Sequence, residues 1–549
     1  MRVLFVLLAL TLPLAATGQT CPEPPEAITY LEGNAVRAQL FNDGALFYAA
    51  RSNGTETLYE VPAGSGKRSF YTTALWVLGE ANGELRAATS VYGPQEFRPG
   101  PLGADGQPPT DCSAFDRIWR VSVEDIARYN ATGEATPDLA DWPAHLGAPV
   151  LEGDGDPDTY DLAAGDRPAI LGAESAWWVM NDRAVEHVSS QTPPVGLEVR
   201  AMASAVSEDY AVGWLGTTPA DGRYLHHATA YRYEITYRGE VTLEEAFFGL
   251  WVDIDLGFFS DNYYGSAADL GTAYVYNGDD FDEGPRGYGA SPPATGVTVL
   301  EGPVSEKIHA MGALANTGTI DGLPSSGAAA YTYAQGLWQD GSPFTYGGFG
   351  MGGGPVTRYL FPDRPPGYWS EMDIDGEGTM RIPSNRRFFL FHGPFTLQPG
   401  ETATFAFALP WARAETGALA SLDLLLDEAV PAMDLHPSTP DPRLATVLPG
   451  TLPTAGESEP EASDLRLTIA PNPARGPASL HVRLDVPAAH ARLAVYDLLG
   501  REVARIHDGP LAVGEQTLPL TTAGLAPGAY YLRLTTDVQQ ITRRFVLTR

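Results

Sequence analysis

Period-two alternation of apolar and polar positions is the commonest pattern in this chain. It is clearest near the C-terminus. Leu465, Leu467 and Ile469 alternate with Arg466 and Thr468 until Pro471 and Pro473, which cannot donate to a ladder, end the run. Leu480, Val482 and Leu484 alternate with His481 and Arg483, and Leu493 and Val495 repeat the period. Tyr530, Leu532 and Leu534 share one face of a later strand, as do Phe545 and Leu547 in the last. About seven short strands separated by Gly, Pro and Asp turns predict an immunoglobulin-like sandwich there. Upstream, Ala230 to Tyr237 and Phe247 to Asp255 also read as strands. Helical periodicity is rare and is best at Val123 to Asn130 and Ala418 to Ala429. With 59 Gly and 46 Pro in 549 residues, short strands and long loops are expected over helices. The predicted fold class is mainly β: a large β-rich body followed by a small immunoglobulin-like β-sandwich.

The N-terminus predicts export. Met1-Arg2 precedes an apolar run from Val3 to Leu14, too short for a membrane span, and Ala16-Thr17-Gly18 supplies small residues for cleavage. Cys21 opens a lipoprotein alternative, although Gly18-Gln19-Thr20 is a poor lipobox. No later stretch predicts a transmembrane segment in the mature chain. The expected domains are a signal peptide at 1–18, a body at 19–435, a Pro/Thr/Glu-rich linker at 436–463 and a C-terminal domain at 464–549. Cys21 and Cys112, the two cysteines, allow one disulfide in an oxidising compartment, worth ~4 kcal/mol in the entropy model. Two unpaired thiols are the alternative.

Charge is unequal along the chain. From Asp464 onward, 10 Arg face 7 acidic residues, a surplus of +3, so the −33 of the whole chain leaves −36 for residues 1–463. Such a body repels phosphates, which argues against nucleic acid and anionic membranes as partners. It fits either cation binding or a high-salt environment.

The C-terminal words carry a resemblance. Pro471-Asn472-Pro473, Asp497-Leu498-Leu499-Gly500-Arg501-Glu502-Val503, Gly528-Ala529-Tyr530-Tyr531 and a short basic end closely resemble the C-terminal sorting domain of type IX secretion system cargo. The resemblance implies a periplasmic passage, contact with the type IX secretion machinery, and a secreted or outer-surface destination. The body resembles the uncharacterised N-terminal region of other exported proteins with such tails. The matching words include Cys112 to Trp119 (CSAFDRIW), Trp177 to Asp182 (WWVMND), DIDLGFFSDNYYG from Asp253, and Arg386 to Pro394 (RRFFLFHGP). That resemblance implies one large β-rich unit and no particular activity.

Three acidic clusters are the best chemical candidates, with calcium as the candidate cofactor. In the first, Asp154, Asp156 and Asp158 alternate, as calcium-loop ligands do, and Asp161 or Asp166 could close the shell. Thr159 and Gly165 replace the sharp-turn Gly and bidentate Glu of an EF-hand, and a solvated loop is the alternative. In the second, Asp253 and Asp255 share one face of an apolar strand, which requires a cation or Arg to pair them, and Asp261, Asn262 and Asp269 follow within loop reach. In the third, Glu371, Asp373, Asp375 and Glu377 occupy every second position of a Gly-containing segment, which suits an ion or an exposed turn equally.

Catalytic signatures are absent. There is no His-Glu-x-x-His and no Gly-x-Ser-x-Gly. Ala63-Gly64-Ser65-Gly66-Lys67 lacks the first Gly of a phosphate loop, and the adjacent His226-His227 would face opposite ways on a strand. Gly347 to Gly354 is a flexible loop without phosphate-binding context. Trp177-Trp178 and Trp214 read as core before sugar-stacking platforms. Whether the body is an enzyme is open. Two readings follow: a calcium-stabilised adhesive or structural protein, with glycans as a potential partner, or a secreted hydrolase of polysaccharide or protein.

Overall fold

A computed structural model describes residues 25–48, 56–93, 95–153, 155–156, 159–206, 222–314 and 319–433, and in the tail 466–470, 474–475, 478–484, 487–496, 502–522, 525, 528–536 and 540–547. The signal peptide, the linker, Cys21, Asp154, Asp158, Trp214, Pro471-Asn472-Pro473 and the 497–501 turn lie outside the described residues. The chain divides into two compact units, Met1–Gly450 and Thr451–Arg549.

The first unit is built on two antiparallel sheets. One runs Ile28–Leu31, Arg37–Phe41, Ala45–Leu46, Thr72–Ala81, Leu243–Ile254, Arg386–Leu397, Ala310–Leu314. The other runs Asn262–Ala267, Thr272–Asn277, Ala294–Glu301, Thr402–Leu409, Thr229–Tyr237, Leu197–Ala205, Glu174–Asn181, Arg98–Pro99. Their facing sides share one core, in which Phe248 meets Phe405 and Phe47 meets Tyr231 at ring centroids of 5.8 and 6.1 Å.

Successive side chains on a strand point to opposite faces, so these strands feed two cores at once. Trp178 and Met180 enter the central core, whereas Trp177 and Val179 join Trp119, Ile126 and Trp142 beneath a helical cover. Likewise Ala273 and Val275 face inward while Tyr274 and Tyr276 pack against Leu422 and Leu425. The first sheet has its own second cover, residues 319–385, which brings Tyr333, Trp338, Phe344 and Trp369 into the same core. Apolar residues on both faces explain why much of the body shows continuous hydrophobic runs rather than clean alternation.

The two expected helices are present. Val123–Thr132 begins at Ser122, whose side chain accepts from Asp125 N in a capping box, and stops at Gly133 in a left-handed conformation (φ 77°). Ala418–Leu424 continues through a π turn, Leu425–Ala429. A third helix, Gly327–Ala334, capped by Ser326, is Ala- and Tyr-rich with no apolar stripe and did not register as periodic.

The second unit pairs Arg466–Ala470, Ala478–Leu484 and Gly514–Leu520 in one sheet, and Glu502–Leu511, Ala488–Tyr496, Gly528–Thr535 and Gln540–Leu547 in another. Leu480, Val482, Leu484, Leu493, Val495, Leu532 and Leu534 form its core. Among the described residues, the expected alternation is observed in the strands holding Leu480, Val482 and Leu484, Leu493 and Val495, and Tyr530, Leu532 and Leu534.

Candidate functional site

Asp253 lies near the end of the Leu243–Ile254 strand and is only 2% exposed. Register places it directly opposite Arg387 on one side and Thr72 on the other. Its Oδ2 accepts from the Tyr92 hydroxyl and lies 3.6 Å from Arg387 Nε, which also donates to the Tyr92 oxygen. Asp255, one residue past the strand, accepts from Arg68 Nη1 at 2.8 Å, and buried Arg68 also donates to the Glu56 carbonyl at 2.7 Å. Arginines thus neutralise the two same-face carboxylates, one of the two alternatives that the strand pattern posed. Burial pushes the Asp253 carboxyl up to about 7; Asp255 adds to the rise, while Arg387, Tyr92 and Arg68 oppose it. Its Oδ1 is buried without a hydrogen-bond partner. A carboxyl poised near neutrality beside a phenol and a guanidinium has the parts of a general acid or base, and equally those of a buried structural network.

Asp261 belongs to a different neighbourhood. Asn262 Nδ2 donates to its Oδ1 at 2.8 Å, and Gly278 N donates to its backbone carbonyl at 2.6 Å. Burial, the Glu283 carboxyl within hydrogen-bonding reach, and nearby Asp282 raise its carboxyl to about 7, against the Asn277 and Asn262 side chains. Asp282 itself accepts from Phe258 N and Tyr288 N at 2.9 and 2.7 Å. This is why Gly257 is glycine: its φ is +66°, and a Cβ there would lie 1.8 Å from Asp282 Oδ2.

The third cluster is a self-bonded turn. Asp373 Oδ1 accepts from Gly376 N and Gly378 N, and Asp375 Oδ1 from Glu377 N and Thr379 N. Glu371 points away from it into the core, bonding Arg381, Arg386 and Tyr264 N. In the first cluster, Asp156 is described, and its carbonyl accepts from Thr159 N. Asp166, fully buried, ties the loop by accepting from Gly153 N and Asp161 N at 2.8 Å each. Among the described residues no three His, Cys, Asp or Glu side chains converge as a metal-holding group.

The remaining sequence candidates have structural places. Lys67 donates to the carbonyls of Pro285 and Gly287, His227 stacks on Trp411 at 5.1 Å, and Trp177 and Trp178 are core. Cys112 is disulfide-bonded and buried. Sequence reasoning passed over Arg68, Tyr92, Glu283 and Arg387 as site residues. The Arg386-Arg387 doublet entering an apolar strand was a usable signal, since its two side chains take opposite faces and each needs a partner: Glu371 for one, Asp253 for the other. Glu283 had no comparable signal.

Exposed aromatics come from elsewhere. Phe258 and Phe259, with ring centroids 5.6 Å apart, project from the turn after Asp255, and Phe281 from the short Phe281–Asp282 strand. The Asp282 carboxylate, next to Phe281, accepts from Phe258 N and so ties the two turns together.

The first unit is a two-sheet β body carrying buried charge networks and an exposed aromatic turn; the second is a small sandwich. The second unit belongs to the family described as the secretion system C-terminal sorting domain, matched over residues 468–548. The chain is therefore a type IX secretion cargo, destined for the cell surface or the medium. No helix among the described residues is long and apolar enough to cross a membrane.

No curated protein sequence matches the chain. Among solved structures it is similar to a polysaccharide lyase (8% identity over 64% of this chain and 34% of that one, TM-score 0.20). It is also similar to a Faecalibacterium prausnitzii β-glucuronidase (16% identity over 31% and 30%, TM-score 0.13) and to the BSP domain of a biofilm associated protein (7% over 60% and 61%, TM-score 0.13). The chain spans about a third of the length of that lyase. Likeness at these scores decides neither fold nor function.

Proposed function

We propose that the body is a displayed adhesive module that binds neutral glycans, delivered by the sorting domain. The observation that carries this reading is the exposed Phe258–Phe259 pair, with exposed Phe281 on the strand whose Asp282 holds Phe258 N: large aromatic side chains left in water. Asp279, Asp280 and Glu283 border it in sequence and would accept from sugar hydroxyls. The −36 of residues 1–463 disfavours polyanionic glycans, so the proposed ligand is uncharged. The test is a glycan array with the exported protein, followed by Phe258→Ala with Phe259→Ala. Binding of neutral oligosaccharides that the double variant loses, with an unchanged melting temperature, supports the reading. Unchanged binding in the variant rejects it.

A secreted hydrolase is the second reading, favoured by one observation: the Asp253 carboxyl at about 7, with an unpartnered oxygen beside Tyr92. It requires turnover of a glycan or peptide substrate that Asp253→Asn abolishes and Asp375→Asn does not.

A further inference from the structure

The cover of the first sheet carries an exposed aromatic side chain apart from the Phe258–Phe259 pair. Phe349, 48% exposed, sits in the Gly-rich segment 347–354. Glycines impose little order by themselves, yet this segment is tied down on both sides of the ring. The buried indoles of Trp369 and Trp338 donate to the carbonyls of Gly348 at 2.8 Å and Gly350 at 3.2 Å. Gly348 N also donates to the Ile374 carbonyl at 2.9 Å.

The ring itself is backed. The Arg381 guanidinium lies 5.0 Å from the Phe349 ring centroid and 5.9 Å from that of buried Phe361. Fully buried Glu371 accepts from Arg381 Nη1 at 2.5 Å and holds the guanidinium there. A large apolar side chain kept half in water, on a fixed backbone and over a fixed cation, adds little to the fold by burial. It is a preorganised contact surface, which spares a ligand the cost of ordering it. Tyr368, 43% exposed, adds a hydroxyl beside Gly347, where a Cβ would lie 3.2 Å from its oxygen.

One short segment joins this platform to the Phe258 turn. The Tyr263 hydroxyl donates to the Arg381 carbonyl at 2.6 Å, and Ser384 N donates to the Asn262 carbonyl at 3.1 Å. Asn262 Nδ2 in turn donates to the Phe258 carbonyl at 3.0 Å. Arg381 and Ser384 are three residues apart, so at most about 11 Å of backbone separates them.

We propose that Phe349 is a second sugar-stacking subsite, and that the body binds the interior of a long neutral polysaccharide that reaches both Phe349 and the Phe258–Phe259 pair. This rests on the glycan reading and adds to it the length of the ligand and its second contact. Once one contact is made, the other forms at a high effective concentration, so a polymer gains affinity that a short oligosaccharide does not.

The exported full chain is run in native gels containing hydroxyethyl cellulose, galactomannan, laminarin or dextran. The trisaccharide and hexasaccharide of any retarding polymer are then titrated by calorimetry. At least one polymer should retard the chain, and Phe349→Ala should weaken binding of that polymer about tenfold while leaving trisaccharide binding and the melting temperature unchanged. Phe349→Trp should bind the polymer as the parent does. Phe258→Ala with Phe259→Ala should remove trisaccharide binding. Equal polymer affinity in parent and Phe349→Ala, with the Phe258 and Phe259 double variant still losing it, would overturn the second subsite and leave the first surface standing. No retardation by any of the four polymers would overturn both. Self-association of the full chain that Phe349→Ala abolishes would assign the ring to a second copy and overturn the subsite as well.

Discussion

The sorting domain and the body solve the same problem, burying β-sheets, with different residues. The tail core is aliphatic, built from Leu480, Val482, Leu493, Leu532 and their neighbours, and the tail carries a small positive charge. The body core is aromatic, with Trp76, Trp178, Trp251, Trp338, Trp369 and stacked pairs such as Tyr231–Phe407, and residues 1–463, which contain the body, carry a net −36. A small sandwich whose strands bury one face can be specified by alternation alone. A two-sheet body whose sheets are covered on both sides needs large side chains to reach across layers, and it must neutralise the carboxylates that its strands carry inward. The body is therefore held by particular long-range partners, and the tail by a repeated local rule.

The largest effect should come from separating the two. Deleting Leu465 to Arg549 should leave a folded body that stays in the periplasm, checked by fractionation and by circular dichroism of the recovered protein. Normal amounts in the medium or on the surface would contradict the role of the tail.

Next in size, Arg68→Ala leaves Asp255 buried without its partner and should cost the body about 3–5 kcal/mol. Chemical denaturation of the body would show it as a lower midpoint, with the tail transition unmoved. In the opposite direction, Leu493→Ala should cost the tail about 2–5 kcal/mol and leave the body transition where it was. A shift of both transitions in either variant would mean that the units do not melt independently.

Asp253 gives a pH test confined to the body. Its folded pKa is raised above the unfolded value, so the folded state holds the proton longer. Its contribution is therefore most favourable below the ordinary carboxylate range and is lost as pH rises to about 7. Asp253→Asn should compare better with the parent at pH 8 than at pH 5 in paired melting curves. The same difference at both pH values would show that the carboxyl does not titrate there.

The smallest effect tests a local rule inside the body. Ser122→Ala removes the cap of the 123–132 helix and should cost about 1 kcal/mol by denaturant titration.

How much could be read in advance follows the same division. The tail strands, their faces and the export route were legible because alternation and short turn words are local. The helices at 123 and 418 were legible from spacing, and the Ser122 box explains where the first begins. The Gly327–Ala334 helix was not, because Ala and Tyr all round leave no stripe to read. Asp253 and Asp255 were legible as carboxylates in need of a partner. The partner was not, because Arg387 faces Asp253 only through the register of two strands distant in sequence, and Tyr92 arrives from a loop.

The amino-acid order alone thus determined the class of fold, the sorting domain and its destination, and the list of carboxylates that require an explanation. Only the tertiary structure decided which of them meet arginine and which close their own turns. The physical reason is range. Strand alternation and helix capping act within a few residues, whereas neutralising a buried charge depends on whichever group the fold brings within a few ångströms.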